Sequence, residues 1–201
     1  MKILKFFEGN INEKYIDMIV DALRDGKIII YPTDTLYAIG CDALNNKAIN
    51  EICKLKGINP DKTNLSIVCS DISMAADYAR FDNDQFKMMK ANLPGPFTFI
   101  FHSSSTLPKA FKGRKTVGVR IPDNQIAVEI ASRLGNPILS TTIEYDDEDY
   151  AINPDLIAEN YADKVEYVID GGMGDTIPST VVDCTEGEIF VVREGKGELS
   201  L

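Results

Sequence analysis

The side chains best suited to chemistry in this chain are hydroxyls and cations set at the ends of apolar runs. Thr33, Asp34 and Thr35 follow Pro32, so two hydroxyls and a carboxylate stand where the β-branched run Ile28 to Ile30 must end. Open α/β sheets hold their ligands at such strand ends, although Thr and Asp there also make local turn bonds to the backbone. Ser140, Thr141 and Thr142 repeat the pattern after Pro137 to Leu139, and Ser179 and Thr180 open a later apolar run. Grouped hydroxyls of this kind bind phosphate oxygens or finish a strand.

The cations are clustered. In Thr116 to Pro122 strand alternation puts Thr116, Gly118 and Arg120 on one face. A cation there is costly if merely buried, and glycine lets a ligand approach closely, though a salt-bridged arginine on an edge strand reads the same way. Lys54 and Lys56 finish a helix, where cations also favour the C-terminal dipole. With Lys62 they form one basic group, and Lys109, Lys112, Arg114, Lys115 and Arg120 form another, while Glu144 to Asp149 is acidic. With 21 basic against 31 acidic residues and a net charge of −10, binding of nucleic acid over the whole surface is disfavoured. A local anion site on an acidic body is the expectation.

Other chemistries are excluded by what is missing. His102 is the single histidine, so neither a Ser/His constellation nor a zinc ligand set can be assembled, and no metal site is expected. Cys41, Cys53, Cys69 and Cys184 are widely spaced in apolar contexts, as expected of buried, reduced thiols. The first residues are no signal peptide, and no run approaches the roughly 20 apolar residues of a membrane span. A cytoplasmic protein with no membrane partner is expected, folded as one domain over residues 1–201.

The elements that must position these groups alternate between strand and helix. Ile3 to Phe7 reads as a strand, Asn10 with Glu13 as a helix start, and Ile16, Ile19, Val20 and Leu23 as one helical face ending at Gly26. The buried strand Lys27 to Tyr31, the helix Asn46 to Lys56 and the strand Leu65 to Cys69 follow. Asp71 to Ala79 and Asp82 to Asn92 are helices, the second with an Asp82/Gln85 capping box. Strands at Phe97 to Phe101 and Thr116 to Pro122 flank an exposed loop, and Asp123 caps a helix to Leu134. Pro137 to Thr141, a helix from Asn153 and Pro154 to about Ala162, Val165 to Asp170, and a hairpin of Ser179 to Asp183 with Ile189 to Arg193 complete the chain. Gly171 to Gly174 is a turn whose amides could form an anion nest. The fold class is α/β with a mixed, open sheet.

Seven motifs then fall in order: Tyr31 to Cys41, Lys54-Leu55-Lys56, Leu93 to Ile100, Lys115 to Pro122, Pro137 to Thr142, Pro178 to Asp183, and Val191 to Gly195. Together they resemble the YrdC/YciO-like domain family over about Ile11 to Gly197, whose best-known members are threonylcarbamoyl-AMP synthases. The resemblance implies a twisted open mixed sheet with flanking helices around a concave basic cavity. It also implies ATP, L-threonine and bicarbonate as substrates, magnesium arriving with the triphosphate, and a link to the t6A modification of tRNA. Carried over by motif, Thr35, Arg120, Ser179 and Thr180 would take the threonine, with Arg120 on its carboxylate. Lys54, Thr116, Ser140, Thr142 and Arg193 would contact the nucleotide, and Lys54, Lys56, Arg120 and Ser140 would serve catalysis.

Five positions depart from the synthase pattern. Lys-x-Arg-Pro becomes Lys54-Leu55-Lys56-Gly57, Ser-x-Asn becomes Ser140-Thr141-Thr142, a histidine becomes Val68, and the glycine after the motif tyrosine becomes Ala38. These look like the YciO branch, so weak or altered synthase activity is expected. A module for tRNA or double-stranded RNA without synthase chemistry, and a nucleotide-binding protein or hydrolase of another substrate, stand as alternatives.

Overall fold

A computed structural model describes residues 1–7 and 10–200. Strand β1, Lys2–Lys5, leads to helix α1, Glu13–Arg24. Asn12, not Asn10, caps α1, its Oδ1 accepting the Tyr15 amide at 3.2 Å. Strands β2, Ile29–Tyr31, and β3, Ala38–Asp42, then form an antiparallel pair. The strand β3 is absent from the sequence reading, which took those residues as part of a ligand-binding stretch. Gly40 in its middle weakens the strand pattern but has a packing reason. A Cβ there would lie 2.8 Å from the Tyr31 ring, the Leu139 carbonyl and Ile138.

Helix α2, Asn46–Leu55, and strand β4, Ser66–Val68, lead to α3, Ile72–Tyr78, the short β5, Ala79–Arg80, and α4, Asn83–Asn92. Asp71 and Asp82 cap the two later helices, and both bonds of the Asp82/Gln85 box are present. Strands β6, Phe97–Ser103, and β7, Thr116–Arg120, precede α5, Gln125–Leu134. Asn124, not Asp123, caps α5, its Oδ1 accepting the Ala127 amide at 3.1 Å, while the Asp123 amide is donated to the Asp34 carboxylate. Strand β8, Ile138–Thr142, the short α6, Asp149–Ile152, and α7, Pro154–Asn160, follow. Strands β9, Tyr167–Asp170, β10, Thr180–Asp183, and β11, Phe190–Arg193, end the chain, the last two paired antiparallel as the hairpin reading expects.

Among the described residues all eleven strands form one mixed sheet in the order β1, β9, β2, β3, β8, β4, β7, β6, β10, β11, with β5 paired to β6. Alternation along the strands divides its faces. Ile28, Ile30, Ile39, Ile67, Phe99, Val119 and Leu139 turn one way and pack with α2, α3, α4 and α7. Ile29, Tyr31, Val68, Ile138 and Ile169 turn the other way and pack under α1 and α5. That second pair of helices covers only part of its face. Over β8, β4, β7 and β6 the same face carries Ser140, Ser66, Gly118 and Ile100, in register across the ladder, with Thr98 and Val181 paired on the same face two residues along β6 and β10, and there a cavity opens.

Replacing Gly40 by Ala is expected to destabilise the fold by about 1–3 kcal/mol, since backbone and ring atoms crowd the new methyl. Urea unfolding of the variant checks this.

Candidate functional site

The cavity has a volume of about 280 Å3. Its floor is the alternate-residue row just described, and its walls include Asn64, Thr141 and Thr142, Ser179, Val192 and Arg193. The bulge that places Arg193 is local. Val182 pairs with Val191 but Val181 pairs with Arg193, so Val192 has no opposite residue and the chain turns Arg193 inward. Gly118 serves the floor as the sequence suggests, because any side chain there would meet Ser66 Oγ and Thr98.

Arg120 is the most constrained group at the site. It is 8% exposed, and its Nη2 donates to Asp34 Oδ1 at 3.1 Å and Thr35 Oγ1 at 3.0 Å. Its Nε is buried without a hydrogen-bond partner among the described residues. Burial pulls the guanidinium down from its usual pKa, Asp34 and Tyr31 oppose this, and Arg193 adds to it as a like charge. Arg193 is likewise lowered by burial. Its Nη2 donates to the Ser179 carbonyl at 2.7 Å and the Ser179 hydroxyl at 3.2 Å. The cavity lining thus contains two guanidiniums and no carboxylate, the Asp34 carboxylate lying behind Arg120.

The hydroxyls are oriented from behind. Tyr31, fully buried, donates to Ser140 Oγ at 2.7 Å, which leaves the Ser140 proton free to point elsewhere. Burial raises the Tyr31 phenol to about 12, only partly offset by that bond and by Arg120. The Ser179 hydroxyl shares a 2.8 Å bond with Thr98. Thr35 is buried at 3% exposure and braces Arg120 without lining the cavity.

Arg120, Ser140, Thr142, Ser179 and Arg193 therefore come together on one lining. The other expected residues are placed differently. Lys54 is exposed on α2 and Lys56 lies on the far side of the Thr142 wall, donating to the Thr142 carbonyl at 2.5 Å and lying 3.3 Å from Glu144. Thr116 is bonded to Asn64 at 3.0 Å, beside the mouth. Thr180 turns to the opposite face, its hydroxyl donating to the Gly197 carbonyl at 2.6 Å. The glycine turn is no nest: the Gly171, Gly172 and Gly174 amides are taken by Tyr37, Asp170 and the Ile152 carbonyl. All four cysteines are buried and free, and the His102 ring bonds the Thr185 carbonyl at 3.1 Å, away from the cavity lining.

Ser66, Thr98 and Asn64 were not among the expected site residues, and the sequence places Asp34 at the strand end without giving it a role there. Thr98 had a signal, since it is a polar residue between Phe97 and Phe99 in an otherwise apolar strand. Ser66 had the same signal, lying between Leu65 and Ile67 in the strand expected over Leu65 to Cys69, whereas Asn64, just before that strand, had none.

Two outcomes follow from this geometry. Asp34→Asn leaves the Arg120 charge buried with its carboxylate gone and is expected to cost about 3–5 kcal/mol of stability in urea unfolding. Tyr31 holds its proton more tightly folded than unfolded, so its contribution is complete below about pH 10 and is lost as pH rises towards 12. Wild type should lose stability across that window, and Tyr31→Phe should lose less.

Comparison with known proteins places the fold. A family model for Sua5/YciO/YrdC proteins, described as "Telomere recombination", matches residues 21–195. YciO of Escherichia coli (strain K12) is 35% identical over 193 residues, covering 94% of this chain and 93% of the relative. The Escherichia coli YciO crystal structure superposes with a TM-score of 0.90 at 34% identity, over 98% of this chain and 96% of that one. A putative threonylcarbamoyl-AMP synthase of Methanocaldococcus jannaschii is 32% identical over 197 residues, 96% of this chain and 93% of the relative. Sua5 of Pyrococcus abyssi, crystallised with L-threonine, has a TM-score of 0.87 at 29% identity, over 96% of this chain and 57% of that one. A mixed sheet that superposes on both proteins and a family match over most of its length make this chain a member of the Sua5/YciO/YrdC family.

Proposed function

We propose that the cavity binds ATP together with L-threonine and bicarbonate and joins them into a threonylcarbamoyl adenylate with release of pyrophosphate. The observation that carries this reading is a lining with two guanidiniums, several hydroxyls and no carboxylate. Such a lining suits the phosphates of ATP, bicarbonate and the carboxylate of threonine. In this reaction the threonine amine adds to the bicarbonate carbon, water leaves, and the carbamate oxygen attacks the α-phosphorus as pyrophosphate departs. Little proton transfer by protein is required. Positioning and the neutralising of phosphate charge supply most of the acceleration. The naming of the Methanocaldococcus jannaschii relative as a putative synthase and the threonine bound by Sua5 support this choice.

Arg120 and Arg193 would hold carboxylate or phosphate oxygens, with the unpartnered Arg120 Nε as an available donor. Ser140, already accepting from Tyr31, would donate its proton to a ligand oxygen. Magnesium would be carried by the triphosphate, since no cluster of three or more His, Cys, Asp or Glu residues able to hold a metal occurs among the described residues. The cavity is at the small end of ligand pockets, which begin near 300 Å3, so substrates would extend into its mouth. Lys56 reaches them only by leaving the Thr142 carbonyl and Glu144, a reason to expect slow turnover.

Pyrophosphate release measured with ATP, L-threonine and bicarbonate should fall to background when either L-threonine or bicarbonate is omitted; release independent of both overturns the reaction. Arg193→Ala should weaken ATP binding about tenfold or more, the loss of charged hydrogen bonds, as measured by calorimetry.

A second reading has its own observation. Lys62, Lys109, Lys112, Arg114 and Lys115 are exposed, Arg114 donates to the Lys62 carbonyl, and Thr116 ties this loop to Asn64 at the cavity mouth. A cationic rim on an acidic protein suits an RNA partner such as tRNA. If so, log affinity for tRNA should fall linearly with log salt, and Lys112→Ala with Lys115→Ala should reduce that slope by about 1–2. A salt-independent affinity removes this reading.

A further inference from the structure

After β11 the chain folds back over the sheet. The Thr180 hydroxyl accepts the amides of Gly195 and Gly197 at 3.1 and 3.0 Å, and the Lys196 amide donates to the Pro178 carbonyl at 2.8 Å. Asn92 anchors the far end, bonding both the amide and the carbonyl of Ser200. Glycine is required at both 195 and 197, because a Cβ would meet Pro178 and Ser179 at one and the Phe97 ring at the other. This strap delivers one charged side chain to the front of the site.

Lys196 Nζ donates to the Asp34 carbonyl at 2.8 Å and to Asp175 Oδ2 at 2.8 Å. Asp175 in turn sends its amide to the Thr35 carbonyl at 3.3 Å. Asp34, Lys196, Asp175 and Thr35 therefore form a closed ring around the two residues that hold Arg120. All three oxygens of Asp34 are engaged: Oδ1 by Arg120, Oδ2 by the Asp123 amide, and the carbonyl by Lys196. An exposed Lys–Asp pair by itself adds little, but a cation bonded to the backbone of Arg120's partner governs where the guanidinium sits.

We propose that Lys196 is a positioning residue of the anion site, its ammonium fixing the Asp34–Thr35 backbone on which the orientation of Arg120 depends. Lys196 does not line the cavity. The proposal rests on the reading of that cavity as an anion site and adds the C-terminal strap to it. The Lys196 bond, followed by the Ile177 amide, also holds the Asp175 carboxyl below its usual range.

The test uses the ligand-free full chain first. The Arg120 Nε–Hε signal in 15N NMR should move or broaden in Lys196→Met, with the remaining spectrum retained, and should return in Lys196→Arg. Calorimetry with ATP should then show affinity about tenfold weaker in Lys196→Met, as expected for a displaced binding group, and recovered in Lys196→Arg. An Arg120 signal unmoved in folded Lys196→Met overturns the proposal whatever ATP does. If wild type binds neither ATP nor L-threonine while the Arg120 signal still follows residue 196, positioning stands and the proposed function falls. Should Lys196→Met fail to fold, Lys196→Gln, which removes the ammonium but keeps a neutral donor, carries the same measurement, and an unmoved signal there is equally decisive.

Discussion

A guanidinium cannot be taken out of water without an anion and a set of hydrogen-bond acceptors, and the burial of Arg120 imposes that demand on the centre of this molecule. Asp34 and Thr35 answer it from the turn after β2, 86 and 85 residues away in the chain. The arrangement then propagates outward. Asp34 draws in the Asp123 amide, so the start of α5 and the end of β7 are tied to the same carboxylate, and Asn124 caps the helix. The ring through Lys196 and Asp175 fixes the loop from its other side. With Arg193 adding a like charge to that of Arg120, a single buried carboxylate leaves the two guanidiniums incompletely balanced.

The site exists because one face of the sheet is only half covered. Helices α2, α3, α4 and α7 close the first face with an apolar layer, whereas α1 and α5 reach only the strands nearest β1. Where cover is missing, the outward alternate residues change from Ile and Val to Ser, Thr, Gly and Arg. The change happens within single strands: Ile138 is buried under α5 and Ser140, two residues on, lines the cavity. Such a site is built on rigid backbone, and its polar groups are fixed from below by Tyr31 and Thr98, which favours preorganisation over induced fit.

Membership of the Sua5/YciO/YrdC family accounts for this architecture, and the surroundings of Lys56 and Val68 have physical consequences within it. Lys56 is a point charge on a flexible stem, and it has found the Thr142 carbonyl and Glu144; a forked arginine would be less easily satisfied by one carbonyl. Val68 is fully buried beneath α5 and offers no donor. The cavity keeps its two guanidiniums, while Lys56 is engaged outside it.

Much of the fold was legible because periodicity and caps are local. The helix faces of Ile16 to Leu23 and Ile126 to Leu134, the Asp82/Gln85 box and the last hairpin are written in residues a few positions apart. Strand β3 was missed where Gly40 breaks the apolar pattern, a glycine that serves neighbours 9 and about 99 residues distant. At the site the sequence by itself determined which residues were capable: hydroxyls after strands, Arg120 beside a glycine, Arg193 at the end of a hairpin. Only the tertiary structure decided which of them meet. Ladder register brings Ser140, Ser66 and Gly118 into one row and a bulge turns Arg193 towards them, whereas Thr180, one residue from Ser179, faces the other way because strand neighbours alternate. That Lys196 rather than Lys54 stands at the front of the site was likewise beyond the sequence, since it depends on a strap held by Thr180 and Asn92 and not on any local pattern.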